Sequence, residues 1–172
     1  MENALKAHFL PCQGRSARAI AALKSLIRVG AQAAAVQSEA QVVILAPVDR
    51  VWELLTRVEQ WPRWNPAVQS VRLQGSFTVG STFVWRSEGF NVASTLREVD
   101  VCRRLSWTGK AFGTVAVHGW YLEDTTDGVI VRTSETFDGW LPRLMHGTMR
   151  RKLESTLPRW LAALKFAAEG KT

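Results

Sequence analysis

Two titratable side chains, His118 and Glu135, are set opposite each other by the strand pattern around them, and a facing imidazole and carboxylate can share a proton. The pairing follows from the turn Thr125 to Gly128. It puts Asp124 opposite Val129, and the ladder then matches Leu122 with Val131, Trp120 with Thr133, His118 with Glu135 and Ala116 with Phe137. That face carries Trp120, Leu122, Val131 and Phe137, whereas the other carries Tyr121, Arg132, Ser134 and Asp138, so the first points inward. A carboxylate buried there is costly unless it is hydrogen-bonded. Three readings stay open: an anchor for a ligand hydroxyl or carbonyl, a general acid–base pair for dehydration or cyclisation, or a satisfied core pair in which Glu135 accepts from the Trp120 or Trp107 indole.

Around this pair the chain is rich in tryptophan, with eight in 172 residues. Alternation also points Phe83 and Trp85 inward from one strand and Leu105 and Trp107 from another. With Trp120 these rings either wall a site for a flat or greasy ligand or simply fill the core. Two further tryptophans sit in the signature Trp61-Pro62-Arg63-Trp64-Asn65-Pro66, which reads as a lid over a pocket mouth or as helix-to-sheet packing. Met145 and Met149, at helical spacing, read as adaptable pocket wall or as core. The candidate ligand-binding set is therefore Phe83, Trp85, Trp107, His118, Trp120, Glu135, Phe137, Met145 and Met149.

Other chemistries lack their motifs. Three scattered histidines, His8, His118 and His146, predict no metal site, and the absence of GxGxxG or Walker spacing at Gly75 and Gly80 predicts no nucleotide cofactor. No nucleophile elbow is present. Cys12 and Cys102 have no CxxC spacing and no histidine cluster, which predicts no disulfide framework and makes a reducing, cytoplasmic setting the default.

The elements that must position these residues follow from periodicity. Residues 15–37 form an Ala-rich, basic helical stretch, and residues 1–38 read as an appendage. Glu39 to Ala46 reads as a strand ended by Pro47, and Val48, Val51, Trp52, Leu54, Leu55 and Val58 follow at helical spacing, with Asp49 in the first turn. Pro62 and Pro66 limit Glu59 to Asn65 to about one helical turn. Six period-two strands are then predicted at about 68–74, 81–88, 90–99, 103–109, 113–123 and 129–138, joined by short turns into an antiparallel meander. Residues 140–168 read as one long helix with a bend at Pro158. A curved sheet wrapped round a helix leaves a gap between them, which is the predicted site.

Net charge is +7, unevenly spread. Residues 1–38 hold five basic side chains against Glu2, residues 140–172 hold seven against Glu154 and Glu169, and residues 39–139 hold ten basic against twelve acidic. The Trp-rich middle thus lacks the positive charge that nucleic-acid binding requires. The basic ends admit a weak contact with an anionic membrane surface, or are solvated helix faces. No apolar run approaches the ~20 residues of a membrane span, which predicts a soluble protein.

The run Val42 to Trp52, the signature Trp61 to Pro66, Arg104-Leu105-Ser106-Trp107-Thr108-Gly109 and Glu135-Thr136-Phe137-Asp138-Gly139 together resemble the polyketide cyclase/dehydrase-like branch of the START-like (SRPBCC) superfamily over about residues 39–168. The resemblance implies an α+β helix-grip fold for residues 39–170: a seven-stranded curved antiparallel sheet round a long C-terminal helix, with two short helices between strands 1 and 2. Members of that superfamily include lipid carriers, hormone receptors and aromatic cyclases. Three expectations follow: a binder or carrier of a small hydrophobic or aromatic molecule, a cyclase or dehydratase using His118 and Glu135, or a peripheral lipid-handling module docked by its basic ends.

Overall fold

The computed structural model describes Cys12 and residues 34–170. Strand β1 (Val36–Ile44) turns every second residue inward, burying Val36 and Ile44 fully and Ser38, Ala40 and Val42 in part. Pro47 stops it and precedes helix α1 (Val48–Thr56), whose buried face is Val48, Val51, Trp52, Leu54 and Leu55. A 3-10 turn (Val58–Gln60) leads into the one-turn helix α2 (Trp61–Trp64), which carries Pro62 in its first turn, where a missing N–H costs nothing.

The meander follows as β2 (Val68–Gln74), β3 (Thr82–Ser87), β4 (Phe90–Asp100), β5 (Arg104–Ala111), β6 (Thr114–Thr125) and β7 (Gly128–Asp138). The seven strands form one antiparallel sheet in the order β1-β7-β6-β5-β4-β3-β2. Register shifts between Val68 and Ser70 and between Leu96 and Glu98 add local bend to the sheet. The chain closes with helix α3 (Trp140–Leu144) and the long helix α4 (His146–Ala168), which buries Leu153, Leu157, Trp160, Leu161 and Leu164 against the sheet. Lys165 donates to the Val43 carbonyl at 2.6 Å and Glu169 accepts from the Leu45 amide at 2.9 Å, tying the end of α4 to β1. The architecture is the seven-stranded helix grip expected from the sequence.

Four expectations change. Val36 and Gln37 begin β1 instead of ending the helical stretch 15–37, Ser38 belongs to the strand as well, and Ala34 and Ala35 before it are not helical; residues 15–33 lie outside the described residues. The predicted strand 39–46 starts three residues earlier and ends at Ile44, where its partner β7 runs out: Ile44 lies opposite Val129, next to the turn into β7. The single helix 140–168 is two helices: Met145 takes φ −115°, ψ 38°, and α4 then continues unbroken through Pro158. Finally, Cys12 and Cys102 are joined in a disulfide with Cα atoms 5.8 Å apart, so the expectation of no disulfide framework is overturned, and with it the sequence argument for a reducing compartment.

Candidate functional site

The inward faces of β3, β5 and β6 bring the predicted rings together. Trp107 lies opposite His118 and Leu105 opposite Trp120 across β5 and β6, so His118 is stacked between two indoles. Its ring centroid is 4.7 Å from Trp107 at an interplanar angle of 24°, and 5.3 Å from Trp120 at 12°. Helix α2 drops Trp61 onto the same cluster, with ring centroids 5.8 Å from Phe83, 5.9 Å from Trp85 and 5.4 Å from Trp107. The Trp61 indole donates to the Leu55 carbonyl at 3.1 Å and the Trp85 indole to Ser94 Oγ at 3.0 Å, which fixes both rings. Helix α4 adds Trp160, in contact with Trp61, Trp64, Trp85, His118 and Trp120. The gap expected between sheet and helix is thus largely occupied by the rings themselves.

The register across β6 and β7 matches the expected ladder, including His118 opposite Glu135. His118 Nδ1 stands 3.4 Å from Glu135 Oε1, and its Nε2 is 2.8 Å from Thr133 Oγ1. The Thr133 hydroxyl donates to the Gly119 carbonyl at 3.1 Å, so its oxygen accepts from His118 Nε2–H. That assignment leaves Nδ1 facing a carboxylate oxygen, and the two need one further proton between them to attract. The alternative partner for Glu135 does not form with Trp120, whose indole N–H is buried without an acceptor.

Beside the ring cluster lies a cavity of about 290 Å³, where α2 turns into β2 against the middle of α4. Asn65, Pro66 and Ala67 line one side, Thr156, Arg159 and Trp160 the other, and Glu88 from the β3–β4 turn closes the rim. Glu88 holds Lys152 at 2.5 Å and Arg159 at 3.5 Å, clamping the turn to α4. Polar groups gather here unsatisfied. Asn65 is only 2% exposed, and its Oδ1 accepts from the Ala67 amide at 3.1 Å while its Nδ2 has no partner; nor do Thr156 Oγ1 and the indole N–H of the adjacent Trp64. Two of these donors, on Asn65 and Thr156, belong to residues that line the cavity, and leaving them without acceptors is costly unless something supplies oxygen atoms.

The remaining candidates lie elsewhere. Phe137 and Met149 are half-buried, whereas Met145 is exposed at the break between α3 and α4. Neither His118 nor Glu135 borders this cavity, which sequence reasoning did not find. Asn65 carried a signal, an asparagine ending a helix before proline, but Thr156 and Trp160 sat unmarked on a helical stripe. Among the described residues no group of three His, Cys, Asp or Glu side chains is arranged to hold a metal ion.

Comparison with known proteins places this geometry. The family model for polyketide cyclase/dehydrase and lipid transport matches residues 35–169. Among solved structures, an aromatase/cyclase from a Streptomyces species superposes with a TM-score of 0.69 at 17% identity, covering 77% of this chain and 93% of that one. A START superfamily protein from Mycobacterium smegmatis gives 0.68 at 14% identity, covering 79% and 99%. A hypothetical protein from Helicobacter pylori gives 0.67 at 19%, covering 77% and 86%. At such identities the likeness is one of fold. A sequence search of curated proteins finds no match.

Proposed function

The chain belongs to the polyketide cyclase/dehydrase and lipid transport family, and from that premise we propose that it binds, and carries, a small hydrophobic or aromatic molecule bearing a hydrogen-bond acceptor. The observation that carries this reading is the cavity against Trp160 with the unpartnered donors of Asn65 and Thr156 on its wall. Its volume of about 290 Å³ sits at the lower edge of ordinary ligand sites and suits a ligand of one or two rings. An oxygen of the ligand accepts from Asn65 Nδ2 or Thr156 Oγ1, and the apolar body lies on the Trp160 ring. Behind Trp160, the cluster of Phe83, Trp85, Trp107, His118 and Trp120 forms a floor, in which the bond to Thr133 holds the histidine and Glu135 faces its other nitrogen.

Intrinsic fluorescence reads the reaction directly, because a ligand on Trp160 quenches an indole within about 6 Å of five other aromatic rings. Titration with phenols, benzoquinones and naphthoquinones should give saturable quenching by at least one class, lost in Trp160→Leu, whereas sterols, too large for the cavity, should give none. A flat response across the panel sinks the proposal.

A catalytic reading draws support from the 3.4 Å contact of His118 with Glu135, the geometry an acid–base pair requires. It needs substrate to reach a histidine sandwiched between two indoles. Turnover of a polyketide-like substrate that disappears in Glu135→Gln, with binding retained, would favour it over simple carriage.

A further inference from the structure

Antiparallel pairing gathers four segments at one end of the sheet. Val68 and Phe90 both lie opposite Ser87, Ala111 lies opposite Thr114, and Asp138 lies opposite Val115, so the start of β2, the β3–β4 and β5–β6 turns and the close of β7 share that end. The cavity rim, Glu88 with Asn65 to Ala67, is there too. At this end large apolar side chains stand in water: Leu144 is 76% exposed, Phe112 74%, Trp140 57% and Phe90 56%. Among the described residues, Phe166 is the one other exposed Phe or Trp.

The patch is built, not incidental. Phe112 and Trp140 meet edge to face with centroids 5.6 Å apart, and Leu144 lies one helical turn from Trp140 on α3. Gly113, at φ +66°, lets the Trp140 ring sit against the turn: a Cβ there would fall 2.5 Å from the indole. Cations surround it. Residues 140–152 contain Arg143, Arg150, Arg151 and Lys152 and no Asp or Glu, and Lys110 flanks the β5–β6 turn. Arg143, Arg150 and Lys152 have carboxylate partners, whereas Lys110 and Arg151 form no ion pair among the described residues.

We propose that this end docks on an anionic lipid bilayer, with Phe112, Trp140 and Leu144 inserted among the headgroups and Lys110 and Arg151 on lipid phosphates. Indole and phenyl rings favour the polar–apolar boundary of a bilayer, and a cationic rim adds attraction to anionic lipid. A protein partner would match the apolar patch equally, but the unpaired cations and the cavity rim at the same end favour lipid. Docking in this orientation turns the cavity mouth toward the source of a hydrophobic ligand. The surface stands whatever occupies the cavity, so its test and the ligand titration fail separately.

Flotation of the full, oxidised chain with vesicles of phosphatidylcholine, with and without phosphatidylglycerol, decides it. The chain should bind the anionic vesicles at about 0.1 M salt and release near 1 M, where the screening length falls from about 10 Å to about 3 Å. Phe112→Glu with Leu144→Glu should weaken binding at least about tenfold, whereas Phe166→Glu, near the opposite end of α4, should leave it unchanged. If the double variant loses its circular dichroism signature, Lys110→Glu with Arg151→Glu reads the same surface. Absence of binding to anionic vesicles, equal binding by the patch variants, or an equal loss in Phe166→Glu overturns the proposal.

Discussion

Thr156 and Thr133 make opposite predictions from the same functional group. The Thr156 hydroxyl is buried without a partner, so Thr156→Val should leave stability unchanged or raise it by up to about 1 kcal/mol, while weakening a ligand that supplies the missing oxygen up to about tenfold. Thr133 instead accepts from His118 and donates to Gly119, and Thr133→Val strands both partners in the core at about 2 kcal/mol. Denaturant melts of the two variants check the contrast; equal losses would mean that the Thr156 hydroxyl has a hidden partner. The His118–Glu135 contact was legible in the sequence because a ladder of known phase needs only one turn to be located. The unpartnered donors were not, since a missing bond depends on what neighbouring elements fail to supply.

At the scale of elements, the β7–α3 junction is held by a carboxylate and a glycine. Asp138 Oδ1 accepts from the Gly139 amide at 2.7 Å and from Arg143 at 3.1 and 3.2 Å, and these bonds, the amide first, hold its carboxyl below the ordinary aspartate value of 3.8. A depressed folded value means that the stabilising contribution is complete above the unfolded pKa and disappears as pH falls through the lower folded one. An NMR pH titration should place the Asp138 midpoint below 3.8, and Arg143→Ala should recover only part of the shift, because the amide bond remains. A wild-type midpoint at or above 3.8 contradicts the geometry. Gly139 adopts φ +118°, ψ −179°, and a Cβ there would collide with the Gly113 carbonyl, so Gly139→Ala should cost about 2 kcal/mol or more and loosen the seat of Trp140. The strands and their turns were readable because period-two runs stop at glycine and aspartate. The break at Met145 was not: the apolar spacing from Leu141 to Leu153 continues across it, although α3 turns Leu144 outward.

For the whole molecule, the Cys12–Cys102 bond is the feature that sequence spacing could least reveal. Its partners lie 90 residues apart, with β1 to β4 between them in the chain. Closing a loop of that length removes enough unfolded-state freedom to stabilise the fold by about 4 kcal/mol. Cys12→Ser should accordingly lower the melting temperature by about 10 °C for a chain of this size, and thiol titration of the unreduced, unfolded protein should find neither sulfhydryl free. Two free thiols would refute the pairing. The same bond also governs the fate of a damaged molecule. A protease that cuts anywhere between Cys12 and Cys102 releases no fragment, so the nicked chain should migrate as one band on a denaturing gel until a reductant parts the two pieces.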